Sequence, residues 1–363
     1  MTHPLQIGGA SIVPLRAEDA PPDGPAFLAA EILPGRGMML LQARLRLPSG
    51  EVADILHAPP AVDAAGEMDG GAGDFAGNRS FAFGGAILAP YANRITGRET
   101  PGAREIEACV DGRTVRLPRN WGGRAPGAEQ YAMHGLILDT AVGHERPAPS
   151  HLKGRLAAGD FGGRWLSQTE LELDWRLVGG ALELAVTARN AGDEPLPLGL
   201  GWHPYFLLPS RRRDQARLRL AAVHRTEVDN YDEVLPTGRL LPTAGTAYDF
   251  SGPDGRALGD LYLDDCFTGL VREDGRVVAE VLDPAAGLGL RISSPTPEVK
   301  AVQVYAPPDQ PFVVVEPQFN LADPYSAVWP EGVDTGMARL APGECVTYRA
   351  RVEAFPLRNP INI

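Results

Sequence analysis

Residues 171–189 alternate apolar and polar side chains almost without a break, and this run constrains the fold more than any other feature. Leu171, Leu173, Trp175 and Leu177 are separated by Glu172, Asp174 and Arg176. After Gly179-Gly180 the pattern resumes, with Leu182, Leu184, Val186 and Ala188 set against Glu183, Thr187 and Arg189. A period of two sends successive side chains to opposite faces of a strand, so each run has one face for a core and one for water. The Gly-Gly pair accepts positive φ at both turn positions, which predicts a two-residue hairpin.

The same signs recur along the chain. Leu41, Ala43, Leu45 and Leu47 alternate with Gln42, Arg44 and Arg46, and Val346, Tyr348, Ala350, Val352 and Ala354 line one face of a final strand. Asp111-Gly112 and Asp274-Gly275 mark two more hairpins. Residues 312–315 are instead continuously apolar, as in a strand buried on both faces. No amphipathic helix of ten or more residues stands out. The pattern predicts an all-β chain of many antiparallel strands in two large packed sheets. Residues 58–78 and 118–130 read as long loops, a kind of segment that often carries function. Neither has the composition of a linker and no fixed-period repeat is evident, so residues 1–363 read as one domain.

Composition narrows the function. A formal net charge of −12 argues against a nucleic-acid partner, which needs a basic stripe facing phosphates. The one short basic run, Arg211-Arg212-Arg213, reads as a solvated loop or, alternatively, an anion site. Three widely spaced cysteines, Cys109, Cys266 and Cys345, contain no CxxC pair and read as reduced, buried thiols. The first residues lack a basic segment followed by an apolar run, and no window approaches a membrane span. The expectation is a cytoplasmic protein with no membrane partner.

The chain has no GxSxG elbow, no HExxH helix and no Walker A loop. Ionisable residues stand instead where strands meet apolar loops. Five segments share this character: 89–95 (APYANRI), 131–135 (YAMHG), 199–206 (GLGWHPYF), 263–267 (LDDCF) and 313–318 (VVVEPQ). Glu316 follows a buried run, where desolvation would raise its pKa toward that of a useful base. It reads equally well as a core carboxylate paired with an arginine. His203 and His134 each read as a hydrogen-bonded core residue or a catalyst, and Arg94 and Asp264 as ion-pair partners or ligand contacts.

Taken in order, the five segments resemble those of the aldose 1-epimerase (galactose mutarotase) family, from about Phe83 to Gln318. The resemblance implies a large antiparallel β-sandwich of the galactose mutarotase type (a supersandwich) and an isomerase that interconverts the α and β anomers of an aldose. It implies Glu316 as the base at the C1 hydroxyl, His203 as the acid at the ring oxygen and His134 as a second active-site histidine. It implies Arg94 and Asp264 as substrate-binding residues. The partner expected is a small aldose sugar, with no metal or organic cofactor, in a monomer or homodimer. Three departures bear on which sugar. Ala89-Pro90 stands where the family often has Gly-Arg, Trp202-His203-Pro204 replaces an Asn-His-Ser form, and Asp265 stands where a histidine is usual.

Alternatives within and beyond the fold are a hexose-6-phosphate 1-epimerase with Arg211–Arg213 on the phosphate, a non-catalytic sugar-binding protein, and a metal enzyme ligated by His134, His203 and Glu316. Trp202 or Phe206 would offer an aromatic face to the sugar, or else pack in the core.

Overall fold

The structure, a computed structural model, describes residues 5–357. Two large antiparallel sheets dominate it. One is a path of strands in the order 236–242, 222–228, 263–270, 301–306, 312–318, 201–207, 85–88, 39–46, 26–33 and 13–16, with 52–54 added beside 39–46. The other runs 143–148, 151–159, 169–178, 181–190, 345–356, 288–294, 277–283, 217–220 and 256–257. Smaller sheets of two and three strands decorate the edges.

The hairpin predicted at Gly179-Gly180 is present, with Val178 opposite Ala181 and φ of 58° and 79° at the two glycines. Leu171, Leu173, Trp175 and Leu177 are buried, while Glu172 and Arg176 face solvent. Asp111-Gly112 and Asp274-Gly275 turn in the same way. The apolar faces of the two sheets meet in one continuous cluster. Within it the rings of Trp175 and Trp202, one from each sheet, pack edge-to-face at 5.5 Å. The Tyr348 hydroxyl donates to the Pro317 carbonyl at 2.8 Å, tying the final strand to the back of strand Phe312–Gln318. That strand is buried along its whole length, as its continuous apolar run predicts.

Two local expectations are corrected and a third is refined. Residues 58–78 are not a plain loop, because Ala61–Glu67 forms a short α-helix behind Pro60 and 3-10 turns cover Ala72–Phe81. Alanine at three of the seven helical positions favours the helix. Residues 118–130 are irregular as expected, apart from the two-residue strand Trp121–Gly122 paired with Gln130–Tyr131. Of the cysteines, all free, only Cys266 is buried; Cys109 and Cys345 occupy outward positions on their strands. Among the described residues no helix is long and apolar enough to cross a membrane.

A buried ion pair fixes the 72–81 segment. The Arg36 guanidinium grips both Asp74 oxygens at 2.7 and 2.8 Å and donates to Ser80 Oγ at 2.9 Å. Both charged side chains are almost fully buried. Removing one partner of such a pair leaves an uncompensated charge, so Asp74→Ala is expected to cost about 3–5 kcal/mol in urea unfolding. The double variant Arg36→Met/Asp74→Ala is expected to recover much of that loss.

Candidate active site

Strand register assembles the centre. Strand Gly201–Leu207 pairs with Phe312–Gln318 so that Gly201 faces Gln318 and Tyr205 faces Val314, which sets His203 directly across from Glu316. On its other side Glu316 faces Gln303, which in turn faces Cys266. His203, Glu316 and Gln303 therefore form one row across three neighbouring strands of the larger sheet. Alternation then sorts their neighbours. Val313 and Val315 join the core between the sheets, whereas Phe312 and Val314 pack with Tyr205 on the same side as Glu316. Trp202 and Phe206 likewise fall on the core side, so core packing is their role and Tyr205 is the aromatic of this strand that lines the cavity.

His203 Nε2 lies 3.3 Å from Glu316 Oε1, with both side chains buried. His134 closes the group from outside the sheet, its ring 4.7 Å from that of His203 and nearly perpendicular to it. The Asn93 amide donates to His134 Nδ1 at 3.3 Å, so Nδ1 is the acceptor and the ring proton sits on Nε2. His134 adopts a φ of 62° to make this turn, immediately after its strand ends at Met133.

A closed ring of hydrogen bonds borders the group. Arg94 Nη1 donates to Asn93 Oδ1 at 2.8 Å, Asn93 Nδ2 to Gln303 Oε1 at 3.0 Å, and Gln303 Nε2 to Asp264 Oδ1 at 2.6 Å. Arg94 Nη2 closes it on Asp264 Oδ2 at 3.4 Å. All five predicted site residues thus converge, and Asn93 and Gln303 join them. Both carried a signal. Asn93 sits inside the 89–95 segment, and Gln303 is the polar interruption of the apolar strand Ala301–Ala306.

Three polar atoms here are buried without a partner: His134 Nε2, His203 Nδ1 and Glu316 Oε2. Buried polar groups are nearly always satisfied, so these call for a polar ligand. They belong to residues lining a cavity of about 630 Å³. One donor atom each from His134, His203 and Glu316 lies within 4.8 Å of the others, a set that a small metal ion could also reach. The 118–130 loop forms one edge of the mouth through Trp121 and Arg124. It is latched to the facing loop, since Asp232 Oδ2 accepts from the Arg124 and Ala125 amides at 2.8 and 2.9 Å. The arginine run at 211–213 is not a cluster. Arg213 is buried and donates to the carbonyls of Gly259, Leu261 and Ala306, and Arg212 pairs with Asp214.

Residues 71–353 match the family model described as aldose 1-epimerase. The chain belongs to the aldose 1-epimerase family. It is 26% identical to galactose mutarotase of Mus musculus over 225 residues, a match that spans 60% of each protein. Among solved structures it is similar to a galactose mutarotase-like protein from Clostridium acetobutylicum, with a TM-score of 0.70, 17% identity, and 92% of this chain and 93% of that one covered. It is also similar to an aldose epimerase homologue from C. elegans, with a TM-score of 0.69, 17% identity, and 96% and 99% covered. These likenesses establish the galactose mutarotase-like fold.

Electrostatics in this member of the family are governed by burial. Burial pushes the Glu316 carboxyl well above its ordinary 4.5, with the Asp264 carboxylate adding to the rise and Arg94 opposing it. Burial lowers His203 from 6.5 to about 3, with the nearby backbone of His203 itself opposing the fall and Arg94 adding to it. His134 is driven well below 6.5, again by burial first and then by His203 and Arg94. Unperturbed carboxylate and imidazole values therefore do not apply. Both shifts run in the direction that favours the uncharged form of each group.

The raised Glu316 value has a thermodynamic signature. From pH 4.5 upward the unfolded chain loses this proton while the folded chain keeps it, so stability declines with rising pH until the folded carboxyl itself ionises. Glutamine does not titrate. Glu316→Gln is expected to gain stability over the parent above pH 4.5, by up to about 1.4 kcal/mol per pH unit, in thermal melts between pH 4.5 and 8. A pH-independent difference would show that Glu316 is not so perturbed.

Proposed function

We propose that this chain is an aldose 1-epimerase that interconverts the α and β anomers of a free aldose, with Glu316 and His203 as its acid–base pair. The observation that carries the reading is their cross-strand contact of 3.3 Å inside a cavity where His134 Nε2, His203 Nδ1 and Glu316 Oε2 lack partners. Moving the shared proton from Glu316 to His203 gives a carboxylate and an imidazolium without changing the net charge of the pair. In that form Glu316 takes the O1 proton while His203 protonates the ring oxygen, and the C1–O5 bond breaks. Rotation about C1–C2 turns the other carbonyl face toward O5. His203 then recovers its proton from O5, O5 attacks C1, and Glu316 returns a proton to O1. Both transfers are within the pair's reach, as general acid–base catalysis requires. Arg94 and Asp264, held by Asn93 and Gln303, bind ring hydroxyls, and His134 Nε2 donates close to the ring oxygen.

The charge of the cavity favours a free sugar over a phosphorylated one. Arg94 and Arg124 line it beside Asp232, Asp264, Asp309 and Glu316. Arg94 is committed to Asn93 and Asp264, and the 211–213 arginines are committed as described or, for Arg211, outside the lining. A phosphate dianion would meet Arg124 as the one lining arginine not already paired among the described residues, against four carboxyl groups. Free thiols suit a reducing compartment, the cytoplasm.

Polarimetry or NMR anomer exchange, with spontaneous mutarotation subtracted, tests this. Glu316→Gln and His203→Asn are each expected to lower the catalysed rate about 10²–10⁴-fold with unchanged circular dichroism, and free hexoses to outpace their 6-phosphates. Calorimetric sugar binding with no acceleration in the parent protein would favour a sensing role instead.

A further inference from the structure

We infer that the mouth of the cavity is a subsite for a second pyranose ring, so that the substrate is the reducing end of a disaccharide rather than a single hexose. The inference rests on the epimerase reading for the floor of the cavity, but its own observations lie at the mouth.

The first is where the exposed aromatics are. Among the described residues the exposed large aromatic side chains are Trp121, Tyr231 and Tyr262, at 37%, 36% and 36% of full exposure, and all three line this cavity. The other exposed large hydrophobics are aliphatic, and none lines it. Rings left in water around one opening, with polar edges beside them, mark a ligand groove. A flat aromatic ring matches the C–H face of a pyranose, while the sugar hydroxyls point outward to polar neighbours.

The second is that these rings are held. Trp121 packs edge-to-face on Phe81 at 5.4 Å and stands on the short strand paired with Tyr131. Tyr231 packs on Tyr262 at 5.3 Å, and Tyr262 on Tyr305 at 6.4 Å, which carries the aromatic surface from the mouth into the cavity. The Tyr231 hydroxyl donates to Asp265 at 3.0 Å, and Asp265 is fully buried and paired with Arg225 at 2.8 Å. Asp265 and Arg225 are thus positioning residues for a ring at the rim. Binding surfaces fixed in advance lose less entropy when occupied.

The third is size. A hexose has about twelve non-hydrogen atoms and needs at most about 360 Å³, even if each takes the roughly 30 Å³ of a liquid water. The cavity holds about 630 Å³. Arg124, Asp309 and Gln310 are also in its lining and supply donors and acceptors of mixed charge. That setting suits a neutral ring with hydroxyls.

The test compares anomer exchange by NMR for glucose and galactose with that for maltose, cellobiose and lactose. At least one disaccharide is expected to exceed its reducing-end hexose in kcat/KM about tenfold, equivalent to about 1.4 kcal/mol. Trp121→Ala and Tyr262→Ala are each expected to lower that disaccharide-to-hexose ratio about tenfold. Binding is read separately in the Glu316→Gln protein. Trp121 is the exposed one of the five tryptophans, so the preferred disaccharide is expected to shield fluorescence from acrylamide quenching and the hexose is not. Hexoses turned over at least as well as every disaccharide, with ratios unmoved by either variant, would overturn the subsite and leave the epimerase reading standing. Shielding by a disaccharide with no anomer exchange on any sugar would do the reverse.

Discussion

A strand buried on both faces that ends on a carboxylate is the constraint on which the site depends. Residues 312–315 are apolar because the strand has a second sheet behind it and a covered cavity in front. Continuing that strand to Glu316 carries an ionisable group into the same dry environment. Water would hold the carboxyl near 4.5; there, burial lifts it well above. The desolvation is not incidental to folding, because shifting the residue one place along the strand would turn its side chain into the core between the sheets. Tyr348, reaching from the opposite sheet to the Pro317 carbonyl, holds the strand at the point where this matters.

Pairing multiplies the effect of this one placement. The antiparallel register that puts Glu316 on the cavity side also puts His203 and Gln303 beside it, one on each adjoining strand. Two residues of the row, Glu316 and His203, meet side chain to side chain, and the third passes order to Arg94 and Asp264 through hydrogen bonds that close on themselves. In such a ring each amide is oriented by both of its neighbours, so Arg94 and Asp264 are fixed without a ligand. Leaving His134 Nε2, His203 Nδ1 and Glu316 Oε2 unsatisfied is the complementary half of the arrangement. Fully paired groups set the geometry, and unpaired ones remain open to a polar ligand.

The alternation of 171–189 and the apolar run of 312–315 made the two sheets legible in the sequence, because period two and burial are local consequences of strand geometry. The helix at 61–67 was not, since its few apolar residues form no stripe and alanine is indifferent to context. The five site residues could be picked out by their polar character at strand ends and by their order along the chain. What stayed hidden was contact. Gln303 looks like a surface residue until register sets it beside Glu316, and Arg213 looks like part of a cationic run until three carbonyls claim it. The protonation of the pair was hidden for the same reason. Reference values describe residues in water, and the sequence does not say how completely two sheets exclude it.

Floor and mouth are built from different parts of the fold. The floor stands on central strands, where a change of one side chain disturbs its neighbours on both sides. The mouth stands largely on the loops at 118–130 and 229–235, joined by hydrogen bonds that the Arg124 and Ala125 amides donate to Asp232. Asp265 belongs to both. It is next to Asp264 on the strand, yet it holds Tyr231 at the rim through the Tyr231 hydroxyl. Asp265, which stands where the family resemblance leads one to expect a histidine, therefore shapes the entrance through Tyr231 rather than the Glu316–His203 contact. Under the proposed function, that separation would let one proton-transfer chemistry serve sugars of different size, with the selection made at the rim rather than at the Glu316–His203 contact.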